Sequence, residues 1–236
     1  KIIFEGYFED IKLQLEQKKK NISVTVFTDN HDANFNFRLQ KYLGEPSNKI
    51  QGFEALLNDK IIYPVIKKYP GLRILKQDPW EATIGFITSS CSNLPRIKKH
   101  MTQLRKVTGG IFPKPEDILY LGEDDLRKLG FGFRSPYIIN AANIILNENL
   151  SFDHLKKVSY EIALNDLLKI HGVGRKIADC ILAYSLDKTD SFPVDRHVLS
   201  GLIKWYGLPE KTNPVFASNF ARKKFGHLSS YAQQYI

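Results

Sequence analysis

The sequence predicts an α+β fold that is predominantly α: an N-terminal antiparallel sheet, then a helical part in two lobes with a cleft between them. Three observations predict it. Residues 1–28 alternate apolar and polar by twos, the mark of strands with one wet face. After Asp32 that alternation fades and helical spacing takes over. Residues 167–182 read as a helix end, a tight Gly-Val-Gly turn and a second helix.

The elements follow in chain order. Ile11, Leu13 and Leu15 oppose Lys12, Gln14 and Glu16, and Ile22, Val24 and Val26 oppose Ser23 and Thr25, so two strands are expected there. Lys18-Lys19-Lys20-Asn21 makes the turn between them. That lysine run reads as a solvated hairpin tip, with a DNA contact as the other reading. Asp78-Pro79 is a helix cap followed by proline in the first turn. Pro113-Lys114-Pro115 marks a loop, and Gly130 and Gly132 flank another. Leu167, Leu168 and Ile170 end one apolar helical face, and Ile177, Ile181 and Leu182 resume another. Arg196–Tyr206 is helical, with Asp195 just before it. We place an N-terminal domain at 1–72 and the main helical domain at 73–236, and find no internal repeat or low-complexity tract.

Composition sets bounds. The 236 residues are enough for one large or two modest domains, and 43% hydrophobic with 25% charged residues is ordinary for a globular protein. The net charge of +9 and a pI near 9.4 favour polyanionic partners. No apolar run reaches the ~20 residues that a bilayer span needs, so no membrane association is expected. No signal peptide is visible, and the chain begins at Lys1, so an N-terminal piece is expected to precede it. Cys91 and Cys180 are the only cysteines, which excludes a four-cysteine iron–sulfur cluster or zinc site; no metal and no cofactor are expected. Parity allows a disulfide, but the interior of a cell disfavours it.

The Gly-Val-Gly turn carries the chemistry. Gly172 and Gly174 let the chain reverse and leave no Cβ to block a close approach. The N–H groups of Val173 to Lys176 then stand as unpaired donors at a helix N-terminus, an anion site reinforced by the helix dipole. Taken alone, Gly-x-Gly reads rather as an ordinary helix corner; the full string, with apolar residues on both sides in a basic chain, turns the reading to an anion site. Lys176 offers either a phosphate contact or a nucleophile. At a reference pKa of ~10.4 only about one lysine in 10³ is neutral at pH 7, and the dipole and a desolvating cleft would raise that fraction. Asp195 reads first as an N-cap, a role compatible with holding a carboxylate rigidly beside a substrate. Cys180, four residues after Lys176, shares its helix face, and alone it reads as a buried structural cysteine.

Gly172-Val173-Gly174-Arg175-Lys176-Ile177-Ala178-Asp179-Cys180 and Pro193-Val194-Asp195-Arg196-His197 resemble the helix-hairpin-helix DNA glycosylases. The Lys and the Cys four residues later resemble the 8-oxoguanine DNA glycosylase branch. The resemblance extends to Gln77-Asp78-Pro79-Trp80-Glu81, Phe86-Ile87-Thr88-Ser89-Ser90, Asn93-Leu94-Pro95-Arg96-Ile97, Leu129-Gly130-Phe131-Gly132-Phe133-Arg134 and Tyr231-Ala232-Gln233, in the family's order. It covers roughly residues 73 to 236 and implies a two-lobed helix-hairpin-helix DNA glycosylase domain after the sheet. The cysteine count sets the chain apart from the iron–sulfur branch of the same superfamily.

The resemblance implies roles residue by residue. Lys176 forms a Schiff base with the deoxyribose, which permits both base excision and strand cleavage by β-elimination. Asp195 stabilises the cationic sugar and assists proton transfer. Cys180 lies against the extruded base, and Gln233 reads its purine edge. Phe133 is the wedge that fills the gap of the flipped nucleotide, and Arg134 and Arg96 read the orphaned partner base. Gly172, Val173, Gly174 and His197 hold phosphate. Without the resemblance, Gln233 reads as solvated, His197 as a surface histidine, Phe133 as core and Arg134 as surface. The partner implied is duplex DNA containing a damaged base, met by a monomer working in DNA repair inside the cell, in the nucleus or the nucleoid.

Departures from the family pattern are few. Cys91 stands where the family usually has an Asn that contacts the orphan cytosine, and Phe133 stands where Tyr is common. The chain stops at Ile236, just short of the expected stacking aromatic, and starts after the segment expected to supply a glycine contact to the oxidised base. Two other readings stay open: a monofunctional alkylbase glycosylase of the same fold, and a non-catalytic helix-hairpin-helix DNA-binding module. Lys176 argues against the first, and its pairing with Asp195 against the second.

Overall fold

Strand alternation and helix caps build the fold in the order the sequence suggests. The structure, a computed structural model, describes residues 3–18, 21–27, 32–147 and 150–236. Strands β1 (Ile3–Phe8), β2 (Ile11–Lys18) and β3 (Asn21–Val26) form an antiparallel sheet in the order β1-β2-β3. Leu13 pairs with Val26 and Leu15 with Val24, so the apolar set of both strands lies on one face. Helix α1 (Phe35–Leu43) covers that face, packing Phe35, Leu39 and Leu43 on Leu13. Lys19 and Lys20 of the lysine turn lie outside the described residues.

Twelve further α-helices follow among the described residues: α2 (Glu54–Leu57), α3 (Tyr63–Lys68), α4 (Pro79–Ser89), α5 (Leu94–Val107), α6 (Pro115–Lys128), α7 (Ser135–Asn147), α8 (Phe152–Lys157), α9 (Tyr160–Leu167), α10 (Arg175–Ser185), α11 (Arg196–Tyr206), α12 (Pro214–Phe225) and α13 (Ser229–Tyr235). Their starts are written in side chains. Asp78 Oδ1 accepts from Glu81 N at 2.8 Å with Pro79 in the first turn, and Asn93 Oδ1 accepts from Arg96 N at 3.0 Å.

The helices divide into two cores. One gathers Trp80, Ile84, Leu104, Phe131, Ile138, Leu167, Ile177 and Ile181, from α4 through α10. The other gathers Phe192, Val194, Leu202, Phe225, Tyr231 and Tyr235. Phe53, Leu56, Ile62 and Ile66 pack into this second core, so α2 and α3 join the C-terminal lobe and packing cuts across residue 72. Arg105, 5% exposed, ties the sheet to the first lobe. Its guanidinium bonds Asp10 and, at 2.7 and 2.8 Å, Glu81, and lies between the rings of Tyr7 and Phe112. No described helix is long and apolar enough to cross a membrane. Helix α10 carries its apolar face into the first lobe, and the chain leaving it enters the second, so α10 sits at their seam.

Candidate active site

The turn between α9 and α10 is set by sterics. Gly172 has φ +85°, and a Cβ on it would lie 2.4 Å from the Tyr137 ring, so only glycine fits. His171 packs edge-on against the same ring at 4.8 Å and donates its N–H to Asn140 Oδ1 at 2.7 Å. Gly174 is different. It caps α10 in an extended conformation, φ −87°, and a Cβ there would meet only open space.

The first bond of the α10 ladder runs from Ala178 N to Gly174 O at 3.0 Å, and no side chain caps the helix. The amides of Arg175, Lys176 and Ile177 therefore precede the ladder and face outward as donors. Val173 departs from expectation: its amide donates to Ile170 O at 2.9 Å and closes the turn, so it is not an anion donor. The phosphate-facing set is shifted one or two residues into the helix.

Helix α10 has two polar faces with different work. Asp179, fully buried, faces the protein. Its carboxylate accepts from Tyr160 Oη at 2.5 Å, Arg175 Nε at 2.9 Å, Ser191 Oγ at 3.0 Å and Ser218 Oγ at 3.4 Å. Ser191 Oγ also donates to Asp179 O at 2.8 Å. These bonds tie α10 to α9, to α12 and to the strap 191–194 that leads to Asp195. Burial pushes the Asp179 carboxyl up from its usual range, and Tyr160, Arg175 and Ser191 act against that.

The other face lines a cavity of about 340 Å³, at the lower end for small-molecule sites. Lys176, Cys180 and Tyr184 come from α10, Phe86 from α4, Gln77 from the irregular segment leading to α4, Pro193 from the strap, Asp195 from the start of α11 and Gln233 from α13. Both lobes contribute, as a cleft between them requires. Asp195 is the N-cap of α11. Its Oδ1 accepts from His197 N at 2.8 Å and Val198 N at 2.9 Å, and its Oδ2 has no partner among the described residues. One oxygen holds the residue still and the other is left for the cavity. The Lys176 ammonium lies 5.8 Å from the centre of the Phe86 ring, and Phe86 stacks on Tyr184 with centroids 5.7 Å apart. Cys180 is 4% exposed, and burial pushes its thiol up to about 12, the nearby Lys176 ammonium opposing the shift. It meets a ligand as a neutral thiol.

Cys91, Arg96, Phe133 and Arg134 form a separate group that does not line the cavity. Phe133 is 48% exposed and packs edge-on against Tyr137, the ring that fixes Gly172. Arg96 is exposed in the first turn of α5. Cys91 is exposed with φ +49°, a left-handed conformation that Asn adopts far more readily. Arg134 departs from expectation. It is 2% exposed, and its guanidinium donates to Ser90 O at 2.9 Å, Cys91 O at 3.1 Å and Phe131 O at 3.4 Å. In this structure it shapes the loop that presents Cys91 instead of standing free to read a base. His197 is exposed beside the Asp195 cap, outside the cavity.

Tyr184, Phe86, Gln77 and Pro193 had no assigned part in the sequence reading. Tyr184 was within reach of it: Lys176, Cys180 and Tyr184 are successive steps of four on one helix face.

The pattern of HhH-GPD superfamily base excision DNA repair proteins matches residues 84–226. The chain belongs to that superfamily. Within the HhH-GPD proteins it is 28% identical over 229 residues to a probable N-glycosylase/DNA lyase of Methanothermobacter thermautotrophicus, covering 83% of this chain and 72% of the relative. It is 32% identical over 184 residues to N-glycosylase/DNA lyase OGG1 of Arabidopsis thaliana, covering 69% of this chain and 50% of that one. The chain thus spans about half the length of the plant relative. Among solved structures, the Clostridium acetobutylicum 8-oxoguanine glycosylase/lyase, in complex with duplex DNA containing cytosine opposite 8-oxoguanine, superposes with a TM-score of 0.86. That match has 26% identity and covers 99% of this chain and 82% of that one.

Proposed function

We propose that this HhH-GPD chain removes 8-oxoguanine from duplex DNA and then cleaves the strand through a Schiff base on Lys176. The observation that carries the reading is the shared cavity: an amine, a rigidly capped carboxylate, a neutral thiol and a carboxamide face one space beside a hairpin of free amides.

The chemistry follows from those groups. The outward amides of Arg175, Lys176 and Ile177 take a DNA phosphate at the N-terminus of α10, and His197, exposed in the first turn of α11, offers a further phosphate contact. The flipped nucleotide enters the cavity, its base against Cys180 and within reach of Gln233. Negative charge on Asp195 stabilises the sugar cation as the glycosidic bond breaks and its electron pair leaves with the base. The neutral amine of Lys176 bonds to C1′, and ring opening gives an iminium ion. Loss of a C2′ proton then expels the 3′ phosphate by β-elimination. Phe133 fills the vacated stack, and Arg96 and Cys91 face the orphaned base. Every reacting group comes from one chain, so a monomer suffices for the reaction. No step calls for a cofactor, and two cysteines cannot supply the four ligands of an iron–sulfur cluster.

A duplex with 8-oxoguanine opposite cytosine, incubated with and without borohydride, tests the reading. The expected outcome is base release, a nick at the lesion and a covalent protein–DNA adduct when borohydride is present. Base release without adduct would indicate a monofunctional glycosylase. Binding without either would indicate a DNA-binding module.

A further inference from the structure

We infer that His100 is a positioning residue for the wedge: its buried ring supports the 129–134 loop and sets where that loop holds Phe133. The inference rests on the reading of Phe133 as the side chain that fills the stack of a flipped nucleotide. His100 lies buried on α5, outside the cavity that holds Lys176 and Asp195. The loop packed on it joins α6 to α7 and turns through two left-handed glycines, Gly130 at φ +92° and Gly132 at φ +57°.

The imidazole meets the loop at two points. It packs on the fully buried Phe131 ring, 4.7 Å between centroids with the planes 31° apart. A Cβ on Gly130 would lie 3.3 Å from His100 Nε2, so the ring edge sits close against the loop backbone, where glycine keeps the approach open. Phe131 O accepts from Arg134 N at 3.2 Å, and the Arg134 guanidinium lies 4.3 Å from the centre of the Phe133 ring. Contact thus runs from α5 through His100 and Phe131 to the two residues, Phe133 and Arg134, that the loop presents.

Histidine is a costly choice for this place. Its Nδ1 is buried with no hydrogen-bond partner among the described residues, a penalty that an apolar side chain would avoid. The space explains the choice. A five-membered ring offers Phe131 a flat face and is shorter than phenyl, as the close approach at Gly130 requires. Burial and three cations, Arg96 and Lys99 of α5 and Arg134 of the loop, push the imidazole below its ordinary value, so the ring is uncharged at neutral pH.

The test is a double-mutant cycle on DNA preference, the ratio of dissociation constants for an undamaged duplex and for the same duplex with a tetrahydrofuran abasic analogue opposite cytosine. The wedge acts on the second duplex alone. His100→Ala is expected to lower the preference about fivefold, the size of one aromatic pair, with affinity for undamaged duplex unchanged. In a Phe133→Ala background the same substitution should have no further effect, because His100 acts through Phe133. His100→Leu, closer in volume, repeats the cycle in case the alanine variant does not fold. An unchanged preference in a folded His100 variant, an equal loss on both duplexes, or additive losses in the double variant overturns the assignment alone. Wild type that binds the analogue no more tightly than undamaged duplex, or a Phe133→Ala variant that keeps the full preference, overturns the wedge reading and the assignment with it.

Discussion

The cavity face of α10 and the loop pair around Cys91 and Arg134, both turned toward DNA in the proposed function, are built in opposite ways. Behind the cavity, Asp179 collects four hydrogen bonds from four elements, and Gly172 is locked by the Tyr137 ring. Lys176 and Asp195 are held by a scaffold that does not itself line the cavity. In the loop pair, Cys91 takes a left-handed conformation that suits it poorly, and the arginine expected to read DNA is buried against the loop carbonyls. The lesson is where rigidity is placed. The groups proposed to react sit on a preorganised base, whereas the surface proposed to meet the opposite strand keeps an exposed Phe133, an exposed Arg96 and a strained Cys91.

The sharpest break of that contrast lies in Asp195. Asp195→Asn keeps the cap, because Asn ranks with Asp as an N-cap residue, but removes the charge. Excision is expected to slow by ~10²–10³, the ~3–4 kcal/mol that one preorganised electrostatic contact supplies. Melting should be unchanged. Asp195→Ala loses the cap as well and should cost a further ~1 kcal/mol of stability. Single-turnover rates and melting curves on both variants separate the two roles, and near wild-type excision by Asp195→Asn would leave Asp195 as a cap only.

The two glycines of the hairpin come next. Gly172→Ala combines positive φ with a clash on Tyr137, and about 3 kcal/mol of destabilisation is expected. For a domain of this size that lowers Tm by roughly 6–12 °C. Gly174→Ala meets open space and should melt like wild type while binding DNA more weakly, because its Cβ stands where phosphate approaches. Equal melting of the two variants would contradict the steric account.

Cys91→Asn is expected to stabilise the protein by up to ~1 kcal/mol, or ~2–4 °C in Tm, by relieving the left-handed strain. It should also sharpen the preference for cytosine opposite the lesion, since Asn supplies donors and acceptors that a thiol lacks. Excision rates opposite each of the four bases would show it.

The smallest effect concerns the thiols. Burial raises the folded-state pKa of Cys180 to about 12, so its reactive thiolate is scarce below that pH. Alkylation of native protein with iodoacetamide between pH 7 and 9 should therefore label Cys91 and leave Cys180 intact, whereas unfolded protein labels at both. Rapid native labelling of Cys180 would show that the cavity wall opens.

Much of this was legible in local pattern. The alternation around Leu13 and Val24 gave the sheet, Asp78 and Asp195 cap helices where their residue types predict, and the spacing of four put Lys176 and Cys180 on one face. What was not legible depends on contacts distant in sequence. Arg134 is buried because the Ser90 and Cys91 carbonyls converge on it from the loop after α4, and nothing near Arg134 announces that. The Val173 amide is consumed by Ile170 through the tightness of the turn, a matter of backbone geometry rather than residue type. Tyr184 gained its place from Gln233 and Gln234 in the other lobe.

The central claim is that the amine of Lys176 is the nucleophile. The adduct trapped by borohydride on 8-oxoguanine duplex, digested and mapped by peptide mass spectrometry, tests it most directly. The account predicts a single modified residue, Lys176, and no adduct in Lys176→Gln. An adduct on any other lysine, or full trapping by Lys176→Gln, would contradict it.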